Sequence, residues 1–190
     1  MPASSELWFA TSNDHKFEEA SFVMKEFDMT LRRVSSKGLE IQSDDPREIA
    51  LHAVKETYLR FQRSLLTEDT GLFIRALGGF PGAYASHAYG TLGLGPVLKL
   101  VGAGNREAEF VSAVAYCGKG RLPRAFTGNL KGKLSQSPRG KGGFGFDPVF
   151  IPDGHIRTLA EMTMSEKCAI SHRAKALRAL AEWLLSGRRG

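Results

Sequence analysis

Glu6-Leu7-Trp8-Phe9-Ala10-Thr11-Ser12-Asn13-Asp14-His15-Lys16-Phe17 decides how the chain begins to fold. The short apolar run from Glu6 to Ala10 predicts a buried strand, and Thr11-Ser12-Asn13 predicts a turn. Beyond the turn, Phe17, Ala20, Met24 and Phe27 recur at helical spacing, which predicts a helix from Asp14 to Phe27. A strand passing through a polar turn into a helix leaves free backbone N–H groups at the helix start, where an anion is attracted. Lys16 can reach back over the same point, although a solvated lysine on an amphipathic helix fits the spacing too. Neither GxxxxGK[ST] nor the Rossmann glycine fingerprint is present, so any phosphate site here is of another kind.

Further along, Asp45 as N-cap, Pro46 at the first helical position and Glu48 completing a capping box predict a second helix, ending near Phe61. Leu65 to Glu68 reads as a short strand running into a turn at Asp69-Thr70-Gly71. Gly78-Gly79-Phe80-Pro81-Gly82 reads as a rigid turn and Leu94 to Val101 as a helix closed by Gly102. Phe110 to Cys117 predicts a strand and Arg124 to Leu134 an extended pair. A last helix begins near Ser171, buries Leu177, Leu180, Ala181 and Leu184, and stops at Gly187. Strands and helices alternating at both ends of a strand-rich middle predict an α/β fold with a mixed sheet. Residues 1–190 are enough for one domain, with room for a second lobe in the middle.

The 42% apolar and 24% charged content is that of a globular protein, and no run of apolar residues is long enough to span a membrane. Met1 to Glu6 lacks the features of a secretory signal, so a cytoplasmic location is expected. Cys117 and Cys168 have no metal or redox spacing. The net charge of +6 is uneven: Lys119, Arg121, Arg124, Lys131, Lys133, Arg139 and Lys141 follow one another with no acid between them. Such a run suits a polyanion, whether triphosphate or nucleic acid, and equally suits solvated strands.

Glu68 and Asp69 are adjacent acids after an apolar strand, costly unless they meet water, a cation or helix N–H groups. A hard cation such as Mg²⁺ prefers carboxylate oxygen, so one acid could bind metal while the other orients a water. A plain turn capped by Asp69 is the competing reading. Glu40 is a weaker candidate for the same metal. Gly140 to Gly145 holds four glycines in six positions and leads into Phe144-Gly145-Phe146-Asp147. Its two aromatics could stack on a base beside the Asp147 acceptor, or could seal a hairpin. Ser171 is explained as an N-cap, but His172 and Arg173 in the first turn oppose the helix dipole, which hints at function.

Taken in order, these segments resemble the inosine triphosphate pyrophosphatase family, the house-cleaning non-canonical purine nucleoside triphosphatases, and most of all its archaeal branch. The matching pieces are Ala10 to Ala20, Glu40 to Gln42, Lys55, Thr67 to Leu72, Gly78 to Tyr84, Pro138 to Phe150, Thr158 to Met162 and Glu166 to Leu177. The resemblance implies a long mixed sheet with flanking helices, two lobes around a cleft, and a homodimer. It also implies Mg²⁺-dependent hydrolysis of inosine, deoxyinosine or xanthosine triphosphate to monophosphate and pyrophosphate, with Mn²⁺ as a substitute metal. No nucleic-acid or membrane partner is implied.

Carried over by position, Asp69 would be the general base and a metal ligand with Glu40, and Glu68 a further metal candidate. Asn13, Lys16, Lys55 and Lys167 would hold the phosphates and Phe144, Asp147, His172 and Arg173 would form the base pocket, with Thr11, Ser12, Thr70, Gly145 and Phe146 as further substrate-binding residues. Arg173 and His172, as donors, would favour a 6-oxo purine over adenine. The chain departs from the family pattern at His15 (usually glycine), Glu68 (aspartate), Ala85 (serine), Phe146 (tyrosine) and Cys168 (asparagine). A basic nucleic-acid-binding domain and a triphosphatase for another modified base are the alternatives.

Overall fold

The computed structural model describes residues 6–36 and 41–187. Strand β1 (Leu7–Ala10) leads through the predicted turn into α1 (Asp14–Met24), and a 3₁₀ turn carries the chain on to Phe27. Asn13 caps α1 by accepting from the Lys16 N–H. After β2 (Leu31–Val34), α2 (Pro46–Phe61) starts at Asp45, which accepts from the Arg47 N–H. The Glu48 carboxylate accepts the Ser43 hydroxyl, where a capping box was expected.

Strand β3 (Leu65–Ile74) corrects a second expectation: Asp69-Thr70-Gly71 is no turn but the middle of a ten-residue strand. The chain continues as β4 (Pro81–Gly82), α3 (Ala85–Leu92), α4 (Leu94–Val101), β5 (Glu107–Cys117), β6 (Arg124–Leu134), β7 (Phe150–Pro152), α5 (Met164–Ile170) and α6 (His172–Ser186). Residues 124–134 form one strand instead of a pair, because the partner is β5, from Glu107↔Lys133 to Tyr116↔Arg124.

The described strands form one mixed sheet in the order β2-β1-β3-β5-β6-β7, with β4 added to β3. β2, β1 and β3 are parallel, while β3, β5, β6 and β7 are antiparallel. Helices α1 and α6 cover one face around Phe9, Leu66, Val114, Leu177 and Leu180. Helix α2 covers the other, over Leu65, Ala113 and Ala115. Helix α6 can lie on β6 because residue 128 is glycine: a Cβ there would fall 2.2 Å from the His172 carbonyl oxygen. The far ends of β3, β5 and β6 enter a separate core with Val97, Phe146, Phe150 and Leu159. Among the described residues, no helix is long and apolar enough to cross a membrane.

Candidate active site

The cleft lies where the sheet has a gap. Among the described residues, β1 pairs with β3 only at Leu65 and Leu66, and β4 pairs with the same edge only at Leu72 and Phe73. The intervening stretch of β3, with Glu68 and Asp69, therefore borders a cleft of ≈ 600 Å³. Thr11, Ser12, Asn13 and Lys16 line it from the start of α1, and Tyr84, Ser86 and His87 from the edge of α3. Ile41 and Gln42 line it too, whereas Glu40 lies outside the described residues.

Strand alternation separates the two acids. The β3–β5 register runs unbroken from Leu65↔Cys117 to Ile74↔Ala108, so no bulge resets the faces. Thr67, on the face shared with Asp69, donates to the Ala50 carbonyl of α2. Glu68 and Thr70 face α1 and α6 instead, where the Thr70 and Ser112 hydroxyls both donate to Glu68.

On that face Glu68 is enclosed by cations. Lys16 Nζ lies 2.7 Å from one carboxylate oxygen and Arg173 Nε 3.1 Å from the other. Arg173 NH1 reaches Glu19 at 2.5 Å, and Lys167 joins Glu19 at 2.6 Å to Asp147 at 2.5 Å. Asp147 in turn accepts the Phe144 N–H at 2.7 Å, an approach open only because residue 143 is glycine, where a Cβ would lie 2.2 Å from its carboxylate. Three carboxylates and three cations thus alternate from the start of α1 to the aromatic loop.

Burial pushes Glu68 and Glu19 upward, but Arg173, with Lys16 or Lys167, outweighs it and holds both below the ordinary glutamate value. For Asp147 burial prevails over Lys167, with Glu19 adding to it, and the carboxyl is raised. Burial, then Arg173 and Lys167, hold His172 well below its ordinary value, so it is neutral. Its ring stacks on Phe110 at 4.5 Å, and Nδ1 has no hydrogen-bond partner among the described residues.

Of the residues singled out by sequence, the structure brings Thr11, Ser12, Asn13, Lys16, Glu68 and Asp69 to the cleft. It gathers Thr70, Phe144, Asp147, Lys167 and Arg173 around the charge chain behind it. Lys55 is exposed on α2 and does not line the cleft. The two loop aromatics on either side of Gly145 part company: Phe144 is half-buried at the charge chain, and Phe146 is buried in the second core against Tyr89. Arg173 already gives its nitrogens to Glu68, Glu19 and Thr70. Glu19 was missed, yet a signal existed: it is a glutamate next to Ala20 on the inward stripe of α1. Ser112 gave none, being a small residue in an apolar strand.

A protein-family model described as "Ham1 family" matches residues 7–183. A dITP/XTP pyrophosphatase of Methanopyrus kandleri is 44% identical over 176 residues, 92% of this chain and 94% of the relative. Its counterpart in Thermococcus kodakarensis is 45% identical over 179 residues, 94% of this chain and 96% of the relative. Among solved structures, a HAM1 protein from Coxiella burnetii superposes with a TM-score of 0.82 at 28% identity, covering 96% of this chain and 99% of that one.

Proposed function

Because this chain belongs to the Ham1 family, we propose that it hydrolyses inosine, deoxyinosine and xanthosine triphosphates to the monophosphate and pyrophosphate. The observation that carries the reading is the placement of Asp69 on the open edge of β3, in one cleft with Lys16 and the N-terminus of α1. The helix start and Lys16 attract the phosphates, and Asp69 takes the proton of a water attacking the α-phosphorus. Lys16 is held by Glu68, so its ammonium stays at the mouth of the turn.

Among the described residues, no three His, Cys, Asp or Glu side chains group as a metal cage. Mg²⁺ needs no such cage, because it is held by one or two carboxylates together with substrate phosphates. Asp69, with Glu40 as second ligand, would hold it, while Glu68 has its carboxylate engaged by Lys16, Arg173 and two hydroxyls. Bound there, Mg²⁺ supplies charge neutralisation on the triphosphate and acidifies the attacking water.

Among the described residues Nδ1 of neutral His172 has no hydrogen-bond partner, and His172 is the group left to read a 6-oxo edge. Arg173 supports it from the charge chain. The chain works as a homodimer, with Phe80, Tyr89 and Leu92 as exposed apolar anchors on and beside α3. Sedimentation at micromolar concentration tests this, and a monomer mass overturns it. Incubation with a nucleotide panel and Mg²⁺, followed by product separation, tests the activity. Pyrophosphate release from 6-oxo purine triphosphates is expected; orthophosphate release, or equal turnover of adenosine triphosphate, overturns it.

A further inference from the structure

The Phe144 ring lies parallel to the imidazole of His15, with centroids 5.1 Å apart and 8° between the planes. Lys167 Nζ and Arg173 Cζ stand 5.1 and 5.3 Å from the centroid of the same ring, and both side chains are buried. Of these three neighbours only His15 meets water, with its side chain 56% exposed. His15 occupies the first turn of α1, directly before Lys16, which lines the cleft. A ligand that stacks on Phe144 therefore reaches the ring from the side that His15 covers.

We propose that His15 is the outer plate of a clamp that takes the purine of the triphosphate between its imidazole and Phe144, a proposal that rests on the function given above. A ring held between two others needs a contact of ~3.5–4 Å on each side. The pair at 5.1 Å is thus a clamp closed on itself. Its inner plate is fixed, since the Phe144 N–H is held by Asp147, itself tied to Lys167. Its outer plate is loose: besides Phe144 the imidazole meets Glu18, 3.9 Å away and itself exposed. Rotation of the His15 side chain opens the pair without moving the loop.

One ring–ring contact is lost on opening and two ring–purine contacts replace it, so the closed form keeps Phe144 covered without blocking the purine. A flat plate stacks on any purine, so His15 contributes affinity for the base and leaves the choice between keto and amino groups to His172. Consecutive residues of one helical turn then address the two ends of the substrate, His15 the base and Lys16 the phosphates.

The test compares His15→Ala and His15→Phe in two measurements: turnover of inosine triphosphate, and inhibition by pyrophosphate, which has no base. His15→Ala raises the KM for inosine triphosphate about tenfold, the scale of one lost base-stacking contact. Pyrophosphate inhibition is unmoved, and His15→Phe brings the KM back. A KM that falls in His15→Ala makes the imidazole an obstruction and overturns the clamp. Equal weakening of pyrophosphate overturns it as well, making His15 a phosphate residue. An unmoved KM removes the clamp alone, whereas a wild-type protein that turns over no purine triphosphate removes the function and the clamp together.

Discussion

The two faces of β3 at the cleft treat neighbouring acids in opposite ways. On the α1/α6 face, Glu68 enters a chain of alternating charges that also contains Lys16, Arg173, Glu19, Lys167 and Asp147. On the α2 face, Asp69 lies in the stretch of β3 between the residues paired with β1 and with β4, and lines the cleft. One carboxylate holds buried cations, and the other is the one the proposed function gives to the incoming substrate. The contrast teaches that a pair of adjacent acids on a strand is two sites, since the period of two sends them to different environments.

The strongest way to break this contrast is Glu68→Gln. Removing one partner from a buried ion pair leaves Arg173 and Lys16 uncompensated and costs about 3–5 kcal/mol of folding stability. Denaturant unfolding checks it; wild-type stability combined with lost turnover would make Glu68 a chemical group like its neighbour.

Asp69→Asn is the complementary variant. Turnover of inosine triphosphate falls at least about 100-fold, the scale of a lost general base, while the fold survives. Near-normal turnover at saturating Mg²⁺ would place the base elsewhere.

Acid sharpens the same contrast. Glu68 and Glu19 have folded values held below the ordinary 4.5, so their contribution is complete above pH 4.5 and disappears as pH falls through the folded values. Asp147 acts in the other direction: its folded value lies above the ordinary 3.8, so it is protonated earlier and offsets part of the loss. Unfolding followed on the acid side should show stability declining below pH 4.5, and a shallower decline in Glu68→Gln. Parallel slopes in the two proteins would show that the charge chain does not control acid unfolding.

The smallest effect is expected from Lys55→Ala. The side chain is exposed and away from the cleft lining, so KM should change by no more than about twofold, as for a surface substitution. A rise of tenfold would mean that α2 closes on the triphosphate during binding.

Much of this was legible in one dimension. The strand, turn and helix from Leu7 to Met24 follow from apolar spacing and a single cap, both local properties. The boundaries of α2 and α6 were equally local, set by Asp45, Pro46, Ser171 and Gly187. The order of motifs from Ala10 to Leu177 was sufficient to identify the family, because sequence order needs no coordinates. Positions 69–71 misled, since Asp-Thr-Gly has turn composition and only pairing with β5 along its whole length keeps it extended.

The basic run from Lys119 to Lys141 suited a polyanion and solvated strands alike when read along the chain. It holds no acid of its own, yet Lys131 and Lys133 stand opposite Glu109 and Glu107 across the β5–β6 ladder, and Arg121 and Arg124 lie over Trp183. Tertiary structure alone decided that Glu68 and Asp69 separate, that Glu19 meets Lys167 and Arg173 from 148 and 154 residues away, and that Arg173 is held by acids. Residue types, caps and periodicity are fixed by neighbours along the chain. Which charges cancel is fixed by neighbours in space, and burial makes that pairing obligatory because a lone charge in the interior costs too much to remain.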